Sequence, residues 1–474
     1  MRKRLPEDSS AIRFPRARWV GAFLSIVLVA LVRAPFSVAA DVAVPRSDPA
    51  AAKEPPITTE DLEHWAFTPL EVPAVPVPRD LSSCRNDIDR LVLARLEENG
   101  IEPLPEAGRR TLARRLHFDL TGLPPSPDDV ERFVVDPRPD AYERLVDRLL
   151  DSPAYAEHQA QRWLDLARFA ETDGFEQDQT RPNAWRYRDW VIRAMAEDLP
   201  FDELVRQQIA GDILAPDDPW AVIATGFGLA GPDMSDINTV EERRHMVLND
   251  LTATVGSVFL GLTFGCAQCH DHKTDPVSQA DFYRLRAYFD ELELFREFPL
   301  PAGEDIASPA APVASNEPAK KETAPLGRVF RVPDRPAPPS HVRVRGEHNR
   351  LGAEVRPAPP RILDVPLADA ADRRATPNAS TSSRTTTTTT ATRTSAASDA
   401  LPGDGRRAAL AEWLTRPDHP LVPRVMVNRL WLDHFGRGIV ETPSDFGRTG
   451  TPPTDQRLLD WLATELPRRG FSLR

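Results

Sequence analysis

Cysteine is scarce in this sequence, since 474 residues contain only Cys84, Cys266 and Cys269. Exported proteins that depend on disulfides have more cysteines, usually an even number. Disulfides therefore do not organise this fold. Cys266 and Cys269 belong to one short motif, and Cys84 is either free or paired with one of them.

Basic residues are outnumbered by acidic ones, and the formal net charge is −12. Residues 1–40 carry seven basic and two acidic residues, so the rest of the chain carries −17. Nucleic acid and anionic membrane surfaces both require a basic face. The net negative charge therefore excludes nucleic acid as the main partner. It fits a cationic partner, or a charge that serves only to keep the protein soluble.

Long apolar runs are absent after the N-terminus. Residues 19–32 form an apolar run of 14 residues, preceded by six basic residues and followed by the small residues of 37-SVAA-40. A signal peptide has this organisation, and a membrane span needs about 20 residues. The sequence predicts a signal peptide at 1–40, an exported protein in the periplasm or outside the cell, and no membrane span after the leader. An uncleaved N-terminal anchor is the alternative.

Strand-like alternation is also rare, and helical periodicity dominates from residue 86 to about 295. In 142–150 the apolar residues recur at i, i+3, i+4, i+7 and i+8, which predicts an amphipathic helix. Residues 376–399 are a Thr/Ser run of low complexity, and only 341–345 alternates as a strand does. We predict a mainly α protein with a helical N-terminal domain, a Pro/Thr-rich linker containing a short extended segment, and a partial helical C-terminal domain. The predicted divisions are a signal peptide at 1–40, a spacer at 41–63, a helical domain at 64–295, a linker at 296–400 and an incomplete domain at 401–474.

The motif 265-GCAQCHDHKTDP-276 carries the main chemical signal. Cys266, Cys269 and His270 have the C-x-x-C-H spacing of c-type haem attachment. Two thiols three residues apart can each form a thioether to a haem vinyl group, and the adjacent histidine then ligates iron. Two alternatives remain open: a structural dithiol or disulfide, and a zinc site built from Cys266, Cys269, His270 and His272.

His272 belongs to the same local turn as His270, so its side chain should lie on the same side of a haem as His270. It is therefore a poor candidate for the second axial ligand. His245, Met246 and Met234 are the upstream candidates for that position. For zinc, His245 would be an easier fourth ligand than His272, because four ligands within seven residues strain a tetrahedron.

A second constellation lies in 171-ETDGFEQDQTRPNAWRYRDW-190. Its clustered carboxylates suggest calcium binding or acid–base work on a sugar by Asp173 or Glu176, with Trp185 and Tyr187 as stacking platforms. The competing interpretation is a solvated loop with internal ion pairs. Elsewhere, we interpret His117 and Asp119 as structural residues at a helix end, and Asn428 and Arg429 as part of an interaction surface.

Several blocks carry a family resemblance. Residues 115-RLHFDLTGLPPSP-127, 181-RPNAWRYRDWVI-192 and 261-GLTFGCAQCHDHKTDPVSQADFY-283 resemble, in order, the planctomycete cytochrome-type family DUF1549 (PSCyt2). Residues 344-VRGEHNRLGAEVRP-357 and 410–447 resemble its companion domain, DUF1553 (PSD1). The resemblance implies a role in haem binding for Cys266, Cys269 and His270, and an association with glycan-degrading systems.

Two functions follow as hypotheses. The first is an exported haem c protein that acts in electron transfer or oxidation with an unknown redox partner. The second is an extracellular glycan-associated binding or scaffold protein, whose Cys/His site holds a structural metal or a disulfide. The sequence assigns no catalytic residue.

Overall fold

The computed structural model describes residues 54–302, 325–333, 338–364 and 405–474. The leader at 1–40 and the Thr/Ser run at 376–399 lie outside these ranges. The described residues form fourteen α-helices and two small two-stranded sheets, which confirms the mainly α prediction. The helices are α1 (Thr59–Glu63), α2 (Asp87–Glu98), α3 (Arg109–Thr121), α4 (Pro127–Val135), α5 (Ala141–Leu150), α6 (Pro153–Ala167), α7 (Trp185–Ala196), α8 (Phe201–Leu214), α9 (Pro219–Ala224), α10 (Val240–Phe259), α11 (Gln279–Arg286), α12 (Arg406–Leu414), α13 (Val422–Phe435) and α14 (Gln456–Arg468).

Local sequence signals explain the ends of these helices. Ser152 caps α6 by accepting a hydrogen bond from the backbone N–H of Tyr155, and Pro153 occupies the first helical position. Helix α3 stops at Gly122, whose φ of 68° is left-handed and costs glycine little. The apolar stripe predicted in 142–150 forms α5, with Leu145 and Leu149 buried.

The strands are short and antiparallel. Strand β1 (Phe298–Pro299) pairs with β2 (Leu326–Gly327), and β3 (Ser340–Arg343) pairs with β4 (Leu351–Val355). The alternation predicted for 341–345 is therefore a strand over most of its length. A 3-10 turn at Val344–Gly346 lies between β3 and β4 and forms the tip of a hairpin.

One large hydrophobic core contains residues from 66–300 and from 410–466. Helix α8 packs against α12, and the fully buried Arg407 of α12 forms two 2.7 Å contacts with the carboxylate of Asp212. A smaller core joins α3, α4 and α5. The helices on either side of the linker therefore pack into a common interior. The domain limits given in the sequence analysis stay predictions.

The helix that leads to the motif is α10, with eleven of its twenty residues buried. The side chain of Arg429 on α13 donates to the carbonyls of Ser257 (2.9 Å) and Val258, which have no partner within the helix. After α10 the chain turns at Gly261 (φ 59°) and enters a 3-10 helix at Phe264–Gln268. This construction holds the start of the motif on a buried support.

Among the described residues, no helix combines the length and apolarity needed to cross a bilayer.

Candidate functional site

The two motif cysteines are exposed thiols on one side of a short turn. Cys266 lies inside the 3-10 helix and Cys269 directly follows it, while Ala267 between them is buried. Cys84, Cys266 and Cys269 are all free thiols. Both sulfurs of the C-x-x-C pair are therefore open to chemistry from solvent.

The ring of His270 is exposed and its orientation is set by one hydrogen bond. Its Nδ1 lies 2.7 Å from the carbonyl oxygen of Asp271. A carbonyl can only accept, so Nδ1 carries the proton and Nε2 keeps a free lone pair. Metal-bound histidines commonly use this arrangement, in which the other ring nitrogen donates to a carbonyl.

The ring of His272 points into the protein instead. Its side chain is 7 % exposed, its Nδ1 accepts from the backbone N–H of Asp275 (2.9 Å), and its Nε2 lies 3.1 Å from Thr263 Oγ1. Both nitrogens thus have partners, as expected for a residue that is not the second axial ligand. Across the ranges given above, no three His, Cys, Asp or Glu side chains gather in an arrangement that could hold a metal ion. The zinc alternative has no preformed four-ligand site there and stays a prediction.

The back of the motif is fixed by hydrogen bonds to one carbonyl. The oxygen of Gln268 accepts from the Tyr283 hydroxyl (3.1 Å) and from Gln279 Nε2 (2.9 Å). Gln279 Nε2 also donates to the carbonyl of Arg343 (2.9 Å), and the Gln279 backbone N–H donates to Asp271 Oδ1 (2.8 Å). Helix α11 therefore ties the motif to the β3–β4 hairpin.

The tip of that hairpin lies against the second cysteine. A Cβ placed on Gly346 would be 2.6 Å from Cys269 Sγ, and Gly346 has a φ of +74°. Close approach and a left-handed backbone both require glycine here. The neighbouring Arg345 also has a positive φ, 57°.

Residues from the C-terminal region contact the chain just before the motif and near the end of the motif. The N–H of Phe446 donates to the carbonyl of Gly261 (2.7 Å). The N–H of Arg448 donates to the buried carboxylate of Asp275 (2.7 Å). Two segments distant in sequence, the β3–β4 hairpin and residues 446–448, therefore contact the motif and its approach.

His245 lies behind the hairpin tip and has no free nitrogen. Its Nδ1 is 2.9 Å from an Arg286 NH1, and its Nε2 is 2.9 Å from the carbonyl of Gly346. The arginine can only donate, so Nε2 carries the proton and donates to Gly346. Burial first, and the positive Arg286 second, lower the pKa of His245 to about 4. This geometry does not offer His245 as an axial ligand, and Met246 and Met234 are partly buried without an assigned role.

The acidic residues of 171–190 are engaged in internal ion pairs. Asp173 is buried and accepts from Arg181 Nε (2.6 Å) and Arg328 (3.3 Å). Arg328 also donates to Asp233 (2.9 Å), which forms two further bonds with Arg243. Burial raises the pKa of Asp233, but its bonds to Arg243 and the charge of Arg328 outweigh burial and lower it. Acid–base work on a sugar by Asp173 would require this carboxylate to leave these partners, while Glu176 is exposed.

The aromatic residues of this stretch belong mainly to the core. Tyr187 is 5 % exposed, so it is not a stacking platform for a ligand, and Trp190 is 3 % exposed. Trp185, the other expected platform, is partly buried, with the Arg186 guanidinium 4.4 Å from the centroid of its ring. The Tyr187 hydroxyl and Trp163 Nε1 both donate to Gln208 Oε1, at 2.7 and 2.8 Å. The spacing of Tyr187, Trp190, Val191, Ala194 and Met195 is a helical stripe, and this signal was present in the sequence.

The other residues that the sequence singles out are buried or engaged in an ion pair. His117 is buried with Nδ1 2.8 Å from the carbonyl of Ala113, and Asp119 pairs with His434 (3.0 Å), which fits structural roles. The interaction surface at Asn428 and Arg429 is wrong, because these residues are 0 % and 7 % exposed. Asn428 instead bonds both backbone groups of Val440.

Comparison with known proteins supports the family resemblance. Residues 87–293 match the model described as PSCyt2, a protein of unknown function (DUF1549). Residues 406–474 match the model described as PSD1, a protein of unknown function (DUF1553), over a short part of that domain. No curated protein and no solved structure matches the chain. The chain thus contains a region at 87–293 that is similar to the PSCyt2 (DUF1549) family, followed at 406–474 by a match to part of PSD1 (DUF1553).

Proposed function

We propose that this chain is an exported c-type haem protein that acts in electron transfer or oxidation outside the cytoplasm. Cys266 and Cys269 would attach the haem through thioethers, and His270 would ligate the iron. When bound, the haem would supply a one-electron redox centre. The leader predicted at 1–40 supports the proposal, because haem c is attached outside the cytoplasm.

One observation carries the proposal. His270 presents a free Nε2 lone pair while its Nδ1 is held by the carbonyl of Asp271, and the two thiols beside it are exposed and free. The residues present therefore match the donor set that covalent haem requires. The chain's own contribution is to fix the motif backbone through the carbonyl of Gln268 and to keep His272 turned inward.

The test is covalent haem attachment in the full chain. The protein would be produced with haem-maturation factors, and its pyridine haemochrome spectrum and intact mass would be recorded. We expect one covalent haem per chain, lost in Cys266→Ser combined with Cys269→Ser and retained in Cys84→Ser, which removes the thiol outside the motif. His270→Gln should alter the spectrum of any haem that remains attached.

The opposite results would favour another function. An apo mass with no haemochrome absorbance would refute the haem assignment. Zinc in the purified protein that disappears in Cys266→Ser would instead support the structural metal site of the scaffold hypothesis. A disulfide mass that is sensitive to reductant would support the dithiol reading.

A further inference from the structure

The region behind Cys269 contains an excess of positive charge. Three arginines, here called the arginine group, surround the hairpin tip and its support: Arg286 on α11, Arg343 on β3 and Arg345 beside Gly346. Arg286 pairs with Asp290, with Nε 3.1 Å from Oδ1. Three guanidinium groups are thus opposed by one carboxylate.

Arg343 lacks a counter-charge and leaves one guanidinium nitrogen without a partner. Its NH1 donates to the carbonyl of His348 (3.1 Å), and its Nε is buried without a hydrogen-bond partner. Within the described ranges no carboxylate lies within 4 Å of its guanidinium. Burial and the nearby Arg286 both lower the pKa of Arg343, as expected for a cation that lacks a counter-charge.

Arg345 adds a charge at the surface of the same tip. It is exposed, and it forms no ion pair or side-chain hydrogen bond with any residue that the structure describes. Its φ of 57° is unfavourable for a residue with a Cβ, by roughly 1 kcal/mol. By contrast, Arg350 on the same hairpin is neutralised by Glu347 (3.1 Å). The free charge is therefore concentrated beside Cys269.

We propose that Arg343 and Arg345 form a carboxylate-binding site that receives the propionate groups of a haem attached at Cys266 and Cys269. This inference depends on the proposed function. A guanidinium presents paired donors that match a carboxylate, and such charge-assisted bonds are stronger than neutral ones. Gly346 lies against Cys269, and Arg343 and Arg345 precede Gly346 by three residues and one residue along the same hairpin.

The site has a measurable electrostatic consequence. Uncompensated positive charge near a redox centre stabilises the reduced state, which carries one more electron. Loss of one such charge should shift the reduction equilibrium on the order of tenfold toward the oxidised form. For one electron, a tenfold shift is about 59 mV in the reduction potential.

The experiment compares charge-matched variants of the haem-loaded protein. Arg343→Gln and Arg345→Gln should each lower the potential by about that amount, and Arg345→Lys should restore most of it. Arg350→Gln removes the same charge from an exposed position of the same hairpin that the proposed site does not include, so its shift should be several-fold smaller. Equal shifts in all three Gln variants, or no shift in any of them, would overturn the site.

Two further readouts separate this inference from its alternatives. The haemochrome spectrum is recorded first: its absence overturns both the haem assignment and this site, whereas a normal spectrum with unchanged potentials overturns only the site. Inorganic phosphate is then titrated into the loaded wild type. A saturable shift in potential that is absent in Arg345→Gln would show that the site takes a free anion and would overturn the propionate assignment.

Discussion

Replacement of Gly346 by alanine tests the contact between the hairpin tip and the motif. Gly346 has a φ of +74°, and its new Cβ would lie 2.6 Å from Cys269 Sγ. The matched control is Gly436→Ala, because Gly436 has a φ of +73° and nothing within 4 Å of its Cβ position. Comparison of the two variants separates backbone strain from the steric contact.

The expected magnitudes follow from these two geometries. Left-handed backbone should cost each variant roughly 1–2 kcal/mol in the free energy of unfolding. The clash at position 346 adds about 1 kcal/mol, the low end of overpacking costs, because the exposed Cys269 side chain can rotate away. The larger effect should be on the Cys269 thiol, which must change its rotamer.

Two assays on the haem-free protein distinguish these contributions. Urea unfolding at neutral pH gives the stability difference, and the alkylation rate of each cysteine, followed by peptide mass, gives thiol accessibility. We expect Gly346→Ala to change the Cys269 rate several-fold while the Cys84 rate stays constant. Equal stability losses in both variants, with an unchanged Cys269 rate, would show that the hairpin does not press on the motif.

Two more predictions concern the buried charges. Asp173→Asn should lower the free energy of unfolding in urea by about 3 kcal/mol, because it leaves Arg181 buried without its ion pair. The control Asp178→Asn changes an exposed carboxylate and should lower it by less than about 1 kcal/mol. Equal losses in the two variants would contradict the buried network. The folded-state pKa of His245, about 4, is depressed below its ordinary 6.5, so the unfolded chain binds the proton more readily and stability should fall as pH drops through this window. His245 should account for a loss of about 1–2 kcal/mol in the free energy of unfolding between pH 7 and pH 5, and His245→Gln should lack this contribution. An identical pH dependence in both proteins would exclude His245 as the cause.

The helices could be predicted from the sequence because their signals are local. The stripe in 142–150 and the stop at Gly122 depend on residues within two turns of each other. The same information was available for Tyr187, whose helical spacing with Trp190 indicates core packing, but its position among charged residues suggested a ligand platform instead.

Partners far apart in sequence could not be predicted in this way. Asp173 and Arg328 are separated by 155 positions in the sequence, and His245 and Gly346 by 101. Periodicity carries no information about such pairs. The C-x-x-C-H motif could be recognised from the spacing of its residues. The excess of arginine charge beside it could not, because it depends on the tertiary fold.

The buried Arg424 has a consequence for the order of folding. Its guanidinium donates to the carbonyl of Thr68 (2.8 Å), 356 positions away, and to Asp460 Oδ1 (2.6 Å). Phe201 likewise donates its N–H to the carbonyl of Phe471 (2.9 Å). Contacts of such long sequence separation slow folding, since the chain must close large loops before they form. The helices at 54–295 can complete their interior only once 422–474 has been synthesised and has docked, so nascent chains expose apolar surface until then.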